Sequence, residues 1–142
     1  MAEIHVLPRG THRLRPIAAT VVPHLWGQVE PLLAPAIRDP LYTPIDLYLD
    51  LAGGRATLWL IERGQEIRAA LVTRMTEFSG GRSMRIQLCG GEGMEDWLPL
   101  LSSLEDHARE YSCARVEIEG RKGWLRVLPG YRERAILMGK EL

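Results

Sequence analysis

The chain has 142 residues, 46% of them hydrophobic, with 18 Lys and Arg balanced by 18 Asp and Glu. That length suits one domain, residues 1–142, with a sizeable core, and zero net charge gives no general attraction to nucleic acid or to an anionic membrane. Cys89 and Cys113 have no CxxC spacing and the four histidines are scattered, so no metal site is expected and both thiols read as small packed hydrophobes. There is no long apolar run and no charged-then-apolar leader, so the expectation is a soluble chain with no secretion signal and no membrane segment.

In chain order, residues 3–8 (EIHVLP) predict a first strand ending at Pro8, with Ile4 and Val6 on one face. The following RGTHRLRP gathers Arg9, His12, Arg13 and Arg15; it reads as a solvated connection, with phosphate contact as the other reading. In VVPHLWGQVEPLLAPAIRDP, Leu25, Trp26, Val29, Leu32, Leu33 and Ile37 follow helical spacing and Pro23 suits a first turn. Pro31 and Pro35 each remove a donor, which predicts a kink or two short helices. TPIDLYLDLAGG predicts a small docked helix: Thr43 caps, Pro44 starts, Asp46 suits the first turn and Gly53 closes.

ATLWLIE and EIRAALVTRMTE then predict two strands joined through Arg63, Gly64 and Gln65. ATLWLIE is also a candidate edge for pairing in a homo-oligomer, though ordinary burial explains it equally well. After SGG, Met84, Ile86 and Leu88 alternate with Arg85 and Gln87 as a half-buried strand. The spacing of Trp97, Leu101, Leu104, Ala108 and Tyr111, widened by Leu98 and Leu100, predicts one helix over 95–111 with Pro99 in its first turn. Val116 and Ile118 alternate with Glu117 and Glu119 in a further strand, and a strand–helix–strand unit of this length normally pairs in parallel. Trp124 lies in GRKGWLRVLPGYRE among Arg121, Lys122 and Arg126. It reads as a pin, with Leu125 and Leu128, of a short turn onto the sheet, or as a stacking platform beside phosphate. Trp26, Trp59 and Trp97 read as core.

The run EDWLPLLSSLEDHAREYSCARVEIEGRKGWLRVLPGYRERAILMGKEL resembles the C-terminal half of the GNAT superfamily of acyl-CoA-dependent N-acyltransferases. Gly130 and Tyr131, followed by Arg132 and Glu133, match the Gly-aromatic pair that leads into that family's last strand, and LMGKEL resembles its usual ending. The resemblance implies an α/β (α+β) fold, a central mixed, mostly antiparallel sheet with helices on both faces. It covers about the last sixty residues, and the first half only in element order. GWLRVLPGYRE also resembles small GNAT-like proteins encoded among the structural genes of tailed phages and prophages.

The resemblance places the acyl-CoA pyrophosphate loop between Leu88 and Trp97, making Cys89, Gly90, Gly91, Glu92, Gly93 and Met94 the cofactor-binding candidates. The family pattern Q/R-x-x-G-x-G/A fits only in part. From Gln87 it meets Gly90 but then Glu92, and from Leu88 it meets Gly91 and Gly93 without a polar first residue. Glu92, Glu95 and Asp96 oppose an anion there unless Arg121, Lys122 or another cation compensates. Where many such enzymes place the Tyr that protonates the CoA thiolate, this chain has Arg126. Tyr131 matches the structural aromatic instead, and Glu77, His107 and Glu119 are nominal bases.

Three readings follow. The first, implied by the phage-like signature and the altered loop, is a noncatalytic GNAT-fold protein of a phage or prophage. It would act in virion assembly or as an internal virion component, without a cofactor, among phage structural proteins, in the virion or the bacterial host cytoplasm. The second is an active acetyl-CoA-dependent N-acetyltransferase of unknown amine substrate. The third is a nucleic-acid module built on Arg9, Arg13, Arg15, Arg121, Lys122 and Arg126, which the charge balance disfavours.

Overall fold

The computed structural model describes residues 11–120 and 122–142, apart from the side chains of Asp96, Trp97 and Lys122. The expected strand at residues 3–8, and Arg9 and Arg121, lie outside the described residues. The elements are β1 (Arg13–Ile17), α1 (Val22–Leu33), α2 (Pro44–Ala52), β2 (Thr57–Arg63), β3 (Glu66–Phe78), β4 (Gly81–Gly91), α3 (Met94–Trp97), α4 (Leu101–Glu110) and β5 (Cys113–Ile118). The sheet runs in chain order, β1-β2-β3-β4-β5. Its first four strands pair antiparallel, and β5 joins β4 in parallel, as the strand–helix–strand unit predicts.

Helices on both faces bury the sheet twice over, which explains why β2 and β3 are apolar at consecutive positions. On one face Leu58, Leu60, Ala70 and Val72 meet Val22, Val29 and Leu33 of α1 and Leu47 and Leu51 of α2. On the other, Trp59, Ile61, Ala69 and Leu71 meet Leu101, Leu104 and Ala108 of α4, with Leu128. Trp59 lies in this second layer, and its indole N–H donates to the buried Thr73 hydroxyl at 2.8 Å. That bond satisfies both polar groups away from water.

Several local expectations are corrected. Arg13 and Arg15 stand in β1, where they pair with Glu62 of β2, so RGTHRLRP enters a strand rather than a solvated connection. Because β1 covers β2, ATLWLIE is an interior strand and not an edge. α1 runs unbroken past Pro31, and the change of geometry falls at Pro35, where Ala34–Ala36 tightens into a 3-10 turn. Pro99 interrupts the expected helix over 95–111: α3 gives way to a 3-10 turn at Leu98–Leu100 before α4 begins, and Tyr111 is exposed beyond its end.

Residues 131–142 form no strand. A strand exists through its pairing, and among the described residues nothing pairs with the far edge of β5. α2 keeps its expected start, with Thr43 and Asp46 forming a reciprocal capping box. Trp124 and Leu128 dock on the sheet as expected, whereas Leu125 is exposed.

Among the described glycines the closest approach is at Gly90, where an added Cβ would lie 1.9 Å from the Leu32 carbonyl oxygen at the end of α1. Gly90→Ala is expected to cost about 3 kcal/mol or more, because backbone rather than a flexible side chain must yield. Gly27→Ala, in open space on α1, should instead stabilise by about 0.5–1 kcal/mol. Urea unfolding of the two variants beside the parent reads both signs.

Candidate functional site

β4 and β5 begin side by side and then part. Their pairing runs from Arg82↔Cys113 to Ile86↔Ile118 and ends with the Glu119 N–H on the Ile86 carbonyl at 3.1 Å. β4 continues to Gly91 along β3, with Leu71↔Cys89, Ala70↔Gly90 and Ala69↔Gly91. Among the described residues no strand lies beside its outer edge beyond Ile86. The parting coincides with a β-bulge: Thr73 faces Ile86 and Val72 faces Leu88, which leaves Gln87 as the extra residue.

One extra residue reverses the alternation of everything after it. Met84 and Ile86 pack on the α4 face, but Leu88 and Gly90 lie on the α1 face and Cys89 takes the α4 side. The simple alternation of Met84, Ile86 and Leu88 predicts one shared face; the bulge separates Leu88 from the other two. Gln87 Oε1 accepts from Arg74 Nε, and Arg74 Nη2 also bonds Asp50 Oδ2 and the Tyr42 hydroxyl. Tyr42 in turn donates to Asp50 at 2.7 Å. Partial burial pushes the Asp50 carboxyl up, but donors from Tyr42, Arg74 and Arg55 outweigh it and hold Asp50 at about 2. The bulge is thereby tied to α2.

Where the strands part there is a cleft of about 320 Å³ lined by Leu71, Ile86, Leu88, Cys89, Ile118 and Trp124. Pro35, Ala36 and Arg38 after α1, Met94 and Leu101, and Glu119 complete its wall. This is the size of a small-molecule site, and its lining side chains are apolar apart from Arg38 and Glu119. Burial pushes the Cys89 thiol up to about 12, so it is a neutral wall group and not a nucleophile. Arg38 is exposed and makes no ion pair among the described residues. Glu119 shares Arg85 at 3.1 Å.

Of the six loop candidates, Cys89 and Met94 line the cleft. Gly90 and Gly91 belong to the strand ladder, so the turn itself is only Glu92 and Gly93. Gly91, at φ 141°, would bring a Cβ within 2.5 Å of Ala69. Gly93 takes the left-handed conformation, φ 68°, that starts α3. Glu92 on this turn and Glu95 in α3 are both exposed.

Among the nominal acids and bases only Glu119 reaches the cleft. His107 sets its ring edge-on to Trp59 at 5.1 Å, and Glu77 pairs with Arg82 at the far end of the β3–β4 hairpin. The Tyr131 phenol donates to Glu105 Oε2 at 2.9 Å beside α4, and burial followed by that carboxylate raises its pKa. Arg38 and the residues Pro35 and Ala36 carry no motif in the sequence and are brought to the site by the end of α1. Among the described residues no group of three or more His, Cys, Asp or Glu is gathered for a metal ion, and no helix is long and apolar enough to cross a membrane.

No known family profile and no curated protein sequence matches the chain. Solved structures do. It is similar to an aminoglycoside acetyltransferase from an uncultured soil metagenomic sample, in complex with sisomicin: 13% identity over 92% of this chain and 96% of that one, TM-score 0.67. It is also similar to an aminoglycoside N-acetyltransferase in complex with CoA, with 11% identity over 96% and 100% of the two chains and TM-score 0.63. A GCN5-related N-acetyltransferase from Ralstonia eutropha gives 18% identity over 93% and 99%, TM-score 0.63. The mixed, mostly antiparallel five-stranded sheet with helices is the GNAT acetyltransferase fold.

Two outcomes follow from the geometry. Asp50 has a folded pKa below its usual 3.8, so its contribution is complete above that value and is lost as pH falls through about 2. Asp50→Asn should destabilise by on the order of 1–2 kcal/mol at neutral pH and flatten the acid limb, as read by urea unfolding across pH. Iodoacetamide at mildly alkaline pH should modify Cys113, on the β5 edge, well before Cys89 in the intact protein, which peptide mass spectrometry resolves.

Proposed function

We propose that the chain binds an acyl-CoA in the β4–β5 cleft and acts as an N-acetyltransferase of a still unidentified amine. The observation that carries this reading is the outer edge of β4 past Ile86, unpaired among the described residues and facing a cleft. An extended ligand with amide groups, such as the pantetheine arm of CoA, can pair with a free strand edge as another strand would. Ile86, Leu88, Cys89, Ile118 and Trp124 would enclose the arm. Cys89, Gly90, Gly91, Glu92, Gly93 and Met94 would lead toward the phosphates.

Arg38, on the cleft wall, would offer the phosphates a cation. The bound thioester would supply the acyl group. Glu119, at the cleft wall and partly neutralised by Arg85, would orient or deprotonate a cationic amine, while Cys89 stays neutral and takes no acyl group itself. The fold shared with a CoA-bound acetyltransferase supports the same reading.

A second reading has its own support. The phenol of Tyr131 is committed to Glu105 on α4, no tyrosine is among the described residues that line the cleft, and the turn is acidic. A cleft with no tyrosine among its described lining residues fits a noncatalytic GNAT-fold protein in the assembly or interior of a phage particle, which is the reading that GWLRVLPGYRE suggests.

Calorimetric titration with acetyl-CoA and with free CoA separates the two. Binding in the micromolar range, about −8 kcal/mol, is expected, with Arg38→Glu weakening it about tenfold and Met94→Trp abolishing it by filling the cleft mouth. Gly91 is unsuitable as a probe because any side chain there collides with Ala69. Absence of heat at millimolar ligand, with Met94→Trp indistinguishable from the parent, would favour the assembly role.

A further inference from the structure

α2 is apolar on both its inner and its outer side. Leu47 and Leu51 are buried in the core, yet Ile45 and Leu49 are 71% and 54% exposed, and Leu41, in the turn that leads into the helix, is 88% exposed. Ile45 and Leu49 stand one helical turn apart, with Tyr48 beside them. The Tyr48 ring meets Trp26 of α1 edge-on at 5.3 Å, so the apolar face continues onto the neighbouring helix. A surface helix ordinarily turns polar residues outward, and an apolar face of this kind in water marks a place of contact.

The polar side chains of α2 are engaged within the chain. Asp46 closes the capping box with Thr43, and Asp50 is bonded by Tyr42, Arg55 and Arg74. What faces water is Leu41, Ile45 and Leu49, with one charge at each end. Asp39 lies at the Leu41 end, where its Oδ1 accepts the Leu41 N–H at 3.0 Å. Arg55 lies at the Leu49 end, where Nη2 donates to the Leu49 carbonyl at 3.0 Å, and its side chain stays 60% exposed. A lipid surface would favour Lys and Arg on the polar side of such a helix, and α2 carries neither. The matching partner is instead an apolar row with the charges reversed end for end. The same row run antiparallel has that pattern.

We propose that two copies of the chain pair through this face, α2 against α2 and antiparallel, about a two-fold axis across the middle of the row. Leu41, Ile45 and Leu49 of each copy cover those of the other, and Asp39 of each meets Arg55 of the other, once at either end. The same patch serves both copies, so the contact is closed and recruits no third chain. Arg38 of the cleft wall directly precedes Asp39, so the contact also holds the segment that brings Arg38 to the cleft.

The test is sedimentation velocity on the full chain over a range of concentrations. Two copies of a 16.0 kDa chain give about 32 kDa, and the parent is expected there. The double variant Ile45→Lys, Leu49→Lys changes only side chains that face water, so it should keep the parent's far-UV dichroism and sediment at half the parent's mass. Asp39→Arg, outside the helix, sets like charges together at both ends of the contact. It should raise the dimer dissociation constant about tenfold or more at low salt, with the fold unchanged. Arg55→Asp should weaken the dimer in the same way. An equimolar mixture of Asp39→Arg and Arg55→Asp should pair again, because opposite charges then meet at both ends, and this recovery is a readout that loss of folding cannot produce. A parent that is monomeric at every concentration overturns the proposal. A mass that the double lysine variant leaves unchanged, or a mixture that does not pair, overturns it equally.

Discussion

Gln87 is one residue more than β4 needs to match β3, and Arg74 holds it there. The guanidinium binds the Gln87 amide on one side and Asp50 and Tyr42 of the α2 region on the other, so an irregularity of the ladder is braced by charge-assisted bonds to a helix. Without the extra residue the alternation of β4 would continue, Leu88 would share a face with Ile86, and β5 would have no reason to leave its partner. With it, Cys89 turns to the α4 side, Gly90 slides under the Leu32 carbonyl, and the two parallel strands separate into a cleft. The brace is stable because Asp50, despite partial burial, is surrounded by donors that favour its charged form.

Much of this fold is legible in the residues because local and long-range signals agree over most of the chain. The capping box of Thr43 and Asp46, the Gly64 turn, and the stripe of Leu101, Leu104 and Ala108 each name their element and its buried face. The exceptions have physical causes. A bulge leaves no residue-type signature, so the reversal at Leu88 is invisible to any period-2 reading. Pro31 and Pro35 look equivalent as letters, yet α1 accommodates the first and turns at the second. RGTHRLRP looks like a polar connection because its arginines are charged, whereas Glu62 across the ladder makes Arg13 and Arg15 strand residues. Glycines 90 and 91 resemble a phosphate loop as letters, and the close approach of Leu32 and Ala69 gives each a steric reason of its own.

The cleft was less legible than the fold because its wall is assembled from segments far apart in the chain. Cys89 and Met94 stand inside the motif region, but Arg38 and Ala36 arrive from the end of α1, and Ile118 and Trp124 from beyond β5. None of those has a spacing relation to the others. Tyr131 illustrates the converse: a residue chemically suited to give up a proton is bound to Glu105 on α4 and does not line the cleft, and only the folded arrangement separates the two cases.

The order of the strands also bears on how the chain reaches this state. β1 aside, each strand of the antiparallel part pairs with the one made just before it, so most of the sheet closes by short loops with little entropic cost. β5 differs: it must wait for α4 to cross before it can find β4, and it is held there along only five paired positions. The last strand is thus the unit most easily opened without disturbing the rest. A molecule arranged this way can assemble its antiparallel body early and complete its final edge late.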